Sequence, residues 1–266
     1  MHPFIHIGPL TLGSYGIMVA VGLICGFFIL RADFARRGVP ADAEAIIGIT
    51  GLAGLVGSRL YHLLETPREF FADPWPQLFS TMGFAFAGAI IGGFLALIFL
   101  AKRFRMPMLL MLDAASPAAA LGYGIGRIGC LISGDGDYGK PTHLPWGMAF
   151  PNGIVPTTES CVEWGASPNC KVHPTPIYEF LAAVLIAWLL WKLGAWALKR
   201  HAPNGMVFAA YLVLTGAARF LVEFIRINPR SFVGLTNAQA ASAVSMLAGV
   251  ALLVFARGAK PGKIRA

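Results

Sequence analysis

The sequence predicts an all-α integral membrane protein: seven transmembrane helices with a small irregular head loop on the extracytoplasmic (periplasmic) side. Three observations predict this. Of the 266 residues, 56% are hydrophobic and only 13% charged, against about 25% charged in soluble domains. The apolar residues fall into runs close to the ~20 needed to cross a bilayer, separated by short basic stretches. One polar segment, about residues 131–175, is too long to be a simple connection. The whole chain, 1–266, reads as a single membrane domain.

Each span is read from where its apolar run begins and what stops it. Span 1 runs from Gly13 to Leu30 and is closed by Arg31, Arg36 and Arg37. Span 2 covers Ala43 to Leu64 and carries Arg59, Tyr61 and His62 near its far end. Asp73-Pro74-Trp75-Pro76 is too proline-rich for a membrane helix and aromatic enough for the interface. Span 3 covers Met82 to Ala101 and ends in Lys102, Arg103 and Arg105. Span 4, Pro107 to Gly129, delivers Arg127 into the glycine-rich acidic turn Gly134-Asp135-Gly136-Asp137. After the head loop come span 5 (Pro176 to Leu198), span 6 (Gly205 to Ile225, with Arg219 and Glu223 inside) and span 7 (Asn237 to Phe255).

The net charge of +8 does not indicate a nucleic-acid partner, because the basic residues lie in short runs between apolar segments rather than on one face or beside stacking aromatics. They are topology signals. One side collects Arg31, Arg36, Arg37, Lys102, Arg103, Arg105, Lys199, Arg200, Arg257, Lys260, Lys263 and Arg265; the other collects only Arg68, Lys140, Lys171, Arg226 and Arg230. Cytoplasmic loops are the positive ones, so the N-terminus is expected outside, the C-terminus inside, and the head loop outside. The N-terminal residues have no basic n-region and no small-residue cleavage site before Arg31, so no removable signal peptide is expected.

Cys161 and Cys170 enclose eight residues of the outer loop. In an oxidising compartment they read as a disulfide; the alternatives are zinc held with His143 and His173, or two free thiols. Cys25 reads as a small buried hydrophobe.

Three arginines stand within spans or at their outer ends: Arg59, Arg127 and Arg219. Arg59 and Arg127 are near enough to the edge to snorkel, whereas Arg219 lies deeper and has Glu223 four residues on, on the same helical face. Converging guanidiniums make a phosphate site, since their forks bind phosphate oxygens bidentately. The ligand is then a phospholipid headgroup. Tyr15 adds a hydroxyl at the same depth, or serves as an interfacial anchor. The loop offers Asp135, Asp137, Tyr138, His143 and His173, and Tyr178-Glu179 enters span 5, where Glu179 needs a charge partner.

At these residues the sequence resembles the prolipoprotein diacylglyceryl transferase family. That family's hallmark after span 4 is Gly-Arg-x-Gly-Asn, a hydrophobic pair, an Asn-Gly-Glu stretch and a closing glycine. Gly126-Arg127-Ile128-Gly129 matches, Asp135 falls at the glutamate, and Gly139 is similar to the closing glycine. Tyr15-Gly16, Gly57-Ser58-Arg59-Leu60-Tyr61, His173-Pro174-Thr175 with Tyr178-Glu179, Arg219-Phe220 with Glu223, and Gln239 follow in family order, so the resemblance covers nearly the whole chain.

The resemblance implies a bacterial inner-membrane enzyme that moves the diacylglyceryl group of phosphatidylglycerol onto the lipobox cysteine of a prolipoprotein signal peptide, forming a thioether and releasing glycerol phosphate. It implies no metal and no organic cofactor, and as partners membrane lipids and the preprotein. Arg127 and Arg219 would act on the phosphate; without the family's histidine, Asp135 or His62 would serve as proton acceptor, or the arginines alone would favour the thiolate. Tyr15, Arg59, Cys130, Ser133, Gly139, Tyr178, Glu179 and Glu223 would line the substrates. The sequence departs from the pattern in four places. Cys130 and Ser133 replace asparagines, the segment from Asp135 to Gly139 is one residue longer, and Ala87 in Phe86-Ala87-Gly88-Ala89 stands where the family has histidine. A related transferase with another lipid donor or acceptor, or a transporter, are the competing readings; a transporter would want charge on a path crossing the membrane.

Overall fold

The computed structural model describes residues 2–8, 10–79, 83–168, 170–231 and 234–256. Met82 at the expected start of span 3, and the basic residues Arg257, Lys260, Lys263 and Arg265, lie outside them. Among the described residues, seven helices are long and apolar enough to cross a membrane, so the chain is a multi-pass membrane protein. They are α1 (Ser14–Arg37), α2 (Ala43–Glu65), α5 (Phe86–Arg103), α6 (Met108–Ser133), α8 (Thr175–Lys199), α9 (Met206–Val222, prolonged by a 3-10 turn over Glu223–Ile225) and α10 (Asn237–Ala256). Three short helices join them: α3 (Pro67–Ala72), α4 (Pro74–Phe79) and α7 (Thr157–Glu163). Proline opens both α3 and α4, where its missing N–H costs nothing.

An antiparallel hairpin, β1 (Phe4–Ile7) with β2 (Leu10–Gly13), precedes α1 and has no counterpart in the helical reading of the sequence. It is tied down locally: Ser14 donates from its backbone N–H and its hydroxyl to the carbonyl of Pro3, and the N–H of His2 donates to the carbonyl of Ile132.

The described residues cluster into two compact units, one within Met1–Leu30 and Leu112–Gly262, the other within Arg31–Met111. The second is built on α2 and α5. Ala53 and Gly57 on α2 face Gly88 and Gly92 on α5, and a Cβ at Gly57 would meet the Gly88 carbonyl and the Gly92 Cα. Small residues four apart on both helices let the backbones touch, which is how helices associate where lipid removes the hydrophobic drive. The backbone N–H of Ala85 donates to the Ser58 carbonyl at 3.1 Å, and Arg59, itself buried, donates to the Gly83 carbonyl at 2.7 Å with its guanidinium over Phe84. His62 backs directly onto Gly83, where a Cβ would strike its ring. Asp33, fully buried, pairs with Arg36 and Arg37 one turn on, neutralising part of the basic flank of α1.

In the first unit α6, α8 and α9 share an apolar core of Ala120, Ile186, Ala187, Leu190 and Val207. Gly22 of α1 meets Gly122 of α6, and Gly124 meets Ala183 of α8. Helix α10 lies along α9, with Gly216 against Met246 and Gly249 against the Ala209 carbonyl. The N-terminus of α9 is capped from another span. Asp113 of α6 accepts from the N–H groups of Gly205 at 2.7 Å and Phe208 at 2.8 Å, placing a buried carboxylate where the helix has orphan donors and positive charge. Gln239, taken from the sequence as a family position, forms a reciprocal capping box at α10: the Thr236 N–H donates to its Oε1 and its own N–H donates to Thr236 Oγ1, each at 3.1 Å.

The head loop is shorter than expected, because α6 continues through Ser133. It is also packed. Tyr138, Phe150, Cys161 and Val172 form a core of their own, with Tyr138 stacked on Phe150 and its hydroxyl donating to the Val155 carbonyl. Val172 bridges to both Pro141 and Met148. Cys161 and Cys170 are joined as a disulfide, which removes two ligands from the zinc alternative.

Candidate functional site: an alternating ring of arginines and carboxylates

Where α6 ends, the backbone turns twice through the left-handed region, at Gly134 (φ 61°) and Gly136 (φ 91°). A side chain at Gly134 would also collide with Gly153, so glycine is required there for both conformation and space. The turn sends Asp135 and Asp137 in different directions.

Asp137 goes to the arginines. It is ion-paired with Arg127 through one oxygen and with Arg226 through the other, and its carbonyl accepts from Thr175 Oγ1 at 2.6 Å. Arg226 also reaches Glu179 at 3.4 Å and Glu223 at 3.7 Å. Arg219 pairs with Glu223 at 2.5 Å and Glu179 at 3.8 Å, and Arg127 lies 3.7 Å from Glu179. Three guanidiniums and three carboxylates thus alternate, for a formal charge of 3 − 3 = 0. An uncompensated buried charge would cost several kcal/mol; here every charge has at least two opposite neighbours. Asn228 completes the set by donating to Glu223 at 2.7 Å.

Exposure is uneven. The Arg226 side chain is 5% exposed and those of Glu179 and Glu223 are buried, whereas Arg127 and Arg219 keep 17% and 23%. Arg226, Glu179 and Glu223 form the base of the cluster, and Arg127, Arg219 and Asp137, whose side chain keeps 29%, are its open edge.

Outside the spans, two acids diverge electrostatically. Burial pushes the Asp135 carboxyl above its ordinary value. Burial acts the same way on Asp137, but Arg226 and Arg127 outweigh it and hold that carboxyl below the ordinary value. Burial would lower Arg226, and Asp137 more than restores it, so its guanidinium is held more firmly protonated. Asp135 instead lies beside the Cys130 thiol, within 4.8 Å, and accepts from the N–H of Asp137 at 3.3 Å. Cys130, Asp135 and Asp137 hold donor atoms within 4.8 Å of one another, a spacing open to a cation, although both Asp137 oxygens are already engaged by arginines.

The remaining candidates fall into place around this cluster. Tyr15 packs against Gly129, 3.1 Å from where a Cβ would stand, and is 48% exposed. Cys130 and Ser133 are buried, and the Ser133 hydroxyl donates to the Cys130 carbonyl, closing the helix end. Gly139 is squeezed: a Cβ would sit 2.5 Å from the Ile225 carbonyl and 2.9 Å from His173, because the segment bridges to Arg226 on one side and bonds to His173 on the other. Tyr178 bonds to His173 at 3.2 Å and accepts from Trp146 at 2.8 Å, on the head rather than among the ion pairs. Arg59 and His62 belong to the other unit.

Sequence reasoning passed over three members. Arg226 reads from the sequence as a loop charge, although it lies seven residues beyond Arg219 and three beyond Glu223, a helical spacing that marks it as a candidate. Asp137 was named but not placed with the arginines. Tyr123, one turn before Arg127, donates to Glu179 Oε1 at 2.5 Å and carries the Arg127 guanidinium on its ring face.

Fold and site together define a multi-pass membrane protein with a charge-balanced polar centre at the ends of α6 and α9 and the start of α8. The family model described as "Prolipoprotein diacylglyceryl transferase" matches residues 3–255. The chain belongs to that family. It is 33% identical over 245 residues to the phosphatidylglycerol–prolipoprotein diacylglyceryl transferase of Clostridium tetani, a match spanning 91% of this chain and 92% of that protein. It is 32% identical over 262 residues to the protein so named in Chromohalobacter salexigens, spanning 95% and 91%. With that of Geobacter sulfurreducens it shares 31% over 238 residues, spanning 87% and 84%.

Proposed function

We propose that this protein transfers the diacylglyceryl group of phosphatidylglycerol to the lipobox cysteine thiol of prolipoproteins. The observation that carries the reading is the pair of partly exposed guanidiniums, Arg127 and Arg219, both held against Glu179 at 3.7 and 3.8 Å. A guanidinium has five N–H donors in a planar fork. The carboxylates orient these two without enclosing them, and the outward edges suit the oxygens of a phosphodiester.

In the reaction, the cysteine sulfur attacks the glycerol carbon that bears the phosphate ester. The C–S bond forms as the C–O bond breaks, and the electron pair leaves on the phosphate oxygen of glycerol phosphate. Arg127 and Arg219 stabilise the charge that grows there. The thiol proton is taken by Asp135, whose raised affinity for protons suits a carboxylate acting as base, and passes to the departing phosphate, so protons balance. Asp137, itself held by Arg226, pairs with Arg127 and keeps it in place. Tyr15, Cys130, Ser133, Gly139, Tyr178, Glu179 and Glu223 act as the wall and support of the same site, and Arg59 contributes a further cation for lipid. His62 is the alternative proton acceptor, given Ala87 at the family's histidine position.

We place the N-terminus and the head in the periplasm and the C-terminus in the cytoplasm, as the charge bias indicates. His2→Cys should react with a membrane-impermeant maleimide in cells whose outer membrane has been permeabilised; protection until the inner membrane is lysed would reverse the orientation.

The test of function is the mass of a lipobox peptide after incubation with the purified protein and phosphatidylglycerol. Wild type should add one diacylglyceryl group, and Arg127→Ala should add none while keeping its fold. Undiminished turnover by Arg127→Ala would remove Arg127 from the site, and success with another lipid alongside failure with phosphatidylglycerol would select a different donor.

A further inference from the structure

Tyr123 and Arg127 are four residues apart on α6 and share a face. The Arg127 Cζ lies 4.8 Å from the centre of the Tyr123 ring, and the Tyr123 hydroxyl donates to Glu179 Oε1 at 2.5 Å. One side chain therefore touches both members of an ion pair that is itself loose, at 3.7 Å. The two oxygens of Glu179 are also divided: Oε1 takes the Tyr123 hydroxyl and faces Arg219 at 3.8 Å, while Oε2 faces Arg127 and Arg226.

A neutral donor on Oε1 occupies the lone pair that Arg219 would otherwise draw to itself. A carboxylate freed of it would close on Arg219 and turn that guanidinium away from any second anion. The ring does the complementary job, because a cation over an aromatic face is held without spending its in-plane N–H donors. Those donors stay available at the open edge.

We propose that Tyr123 is a positioning residue of the transfer site: its ring sets the plane of Arg127, and its hydroxyl keeps Glu179 from closing on Arg219. The inference rests on the reading of Arg127 and Arg219 as the phosphate-holding pair. Tyr123 acts through these arginines and does not itself touch the reacting atoms. A tyrosine that served only to pack helices would be replaced by phenylalanine without consequence, since the ring is kept.

The experiment compares wild type, Tyr123→Phe and Tyr123→Leu in two assays: steady-state transfer to a lipobox peptide at varied phosphatidylglycerol, and the rate of phenylglyoxal modification of each arginine mapped by mass spectrometry. Removing a hydrogen bond to a charged group should lower kcat of Tyr123→Phe roughly tenfold with KM changed less than about twofold. Losing the ring as well should lower kcat of Tyr123→Leu by about a further tenfold. Modification of Arg219 should slow in Tyr123→Phe, where Glu179 closes on it, and that of Arg127 should quicken in Tyr123→Leu, where the ring no longer covers it. Wild-type kcat in Tyr123→Phe together with unaltered Arg219 labelling overturns the proposal, and Tyr123→Phe decides this even should Tyr123→Leu fold poorly. If wild type adds nothing to the peptide, the transferase reading fails, and the labelling rates still decide whether Tyr123 positions the two arginines.

Discussion

Arg127 is ion-paired with Asp137, two residues beyond Asp135, the acid that matches the family's glutamate by position. The turn explains why the later acid is the partner. Left-handed backbone at Gly134 and Gly136 directs Asp135 to the Cys130 thiol and brings Asp137 round to Arg127 and Arg226. The two carboxylates are consequently held in opposite electrostatic states.

Asp137→Asn and Asp135→Asn should therefore shift stability in opposite directions. Asp137 sits below its ordinary 3.8 in the folded protein, so its ionised form contributes stability above pH 3.8 that is lost as the pH falls through the depressed value. Asp137→Asn should cost ~2–3 kcal/mol at neutral pH, with the gap to wild type closing below pH 3.8. Asp135 sits above 3.8; its ionisation opposes folding, an effect absent below pH 3.8 that sets in as pH rises through the raised value. Asp135→Asn should raise the melting temperature at neutral pH. Thermal unfolding of the three proteins across pH checks both signs.

Turnover separates the same pair differently. As the proposed proton acceptor, Asp135 should cost about 100-fold in kcat when replaced by Asn, in a protein at least as stable as wild type. His62→Ala is the control: a comparable loss there with Asp135→Asn near wild-type activity would move the base to His62.

Gly139→Ala should be destabilising by ~1–3 kcal/mol, because its Cβ would stand 2.5 Å from a backbone carbonyl that cannot swing aside. Gly126→Ala, where a Cβ meets nothing within 4 Å, should be neutral or slightly stabilising, since alanine is the better helix former. Equal melting temperatures for the two variants would contradict the packing described.

Asp113→Ala should lower stability by ~1–3 kcal/mol through the uncapped N-terminus of α9. Its activity per folded molecule should stay near wild type, because the cap serves the helix end opposite Arg219. A loss of turnover larger than the loss of folded protein would give Asp113 a further role.

Replacing Cys161 and Cys170 together by Ser should cost ~2–3 kcal/mol by releasing a short closed loop. Tyr138 packs in the same head core as Cys161 and adjoins Asp137, so reduction should also lower turnover. Assay with and without dithiothreitol measures the effect; an unchanged melting temperature would show that the head core holds without its cross-link.

Much of the membrane fold was legible because a span announces itself by length and hydropathy. The ends of α2 and α8 fall near the expected ones for the same reason, because a charged residue closes each apolar run, whereas α1 continues seven residues past the expected Leu30, through Asp33 paired with Arg36 and Arg37. Arg219 and Glu223 declared a shared face by their four-residue spacing. The hairpin of Phe4–Ile7 with Leu10–Gly13 was not legible, since each strand is only four residues long and is distinguished by its cross-strand hydrogen bonds rather than by a run of its own.

By itself the sequence determined seven apolar runs, the charge asymmetry between their ends, and the residue types of the proposed phosphate-handling site within a matching family. Only the tertiary structure decided which acid meets which arginine. Arg226 reads as a loop charge until the chain is folded against Gly139, and Asp113 reads as a stray carboxylate until Gly205 arrives 92 residues later. Asp137, Tyr123 and Glu179 lie in two helices and a turn whose approach depends on left-handed glycines and close backbone packing. Ion pairs form by distance in space, and in this chain that distance was set by Gly134, Gly136 and Gly139 rather than by any pattern of charge along the sequence.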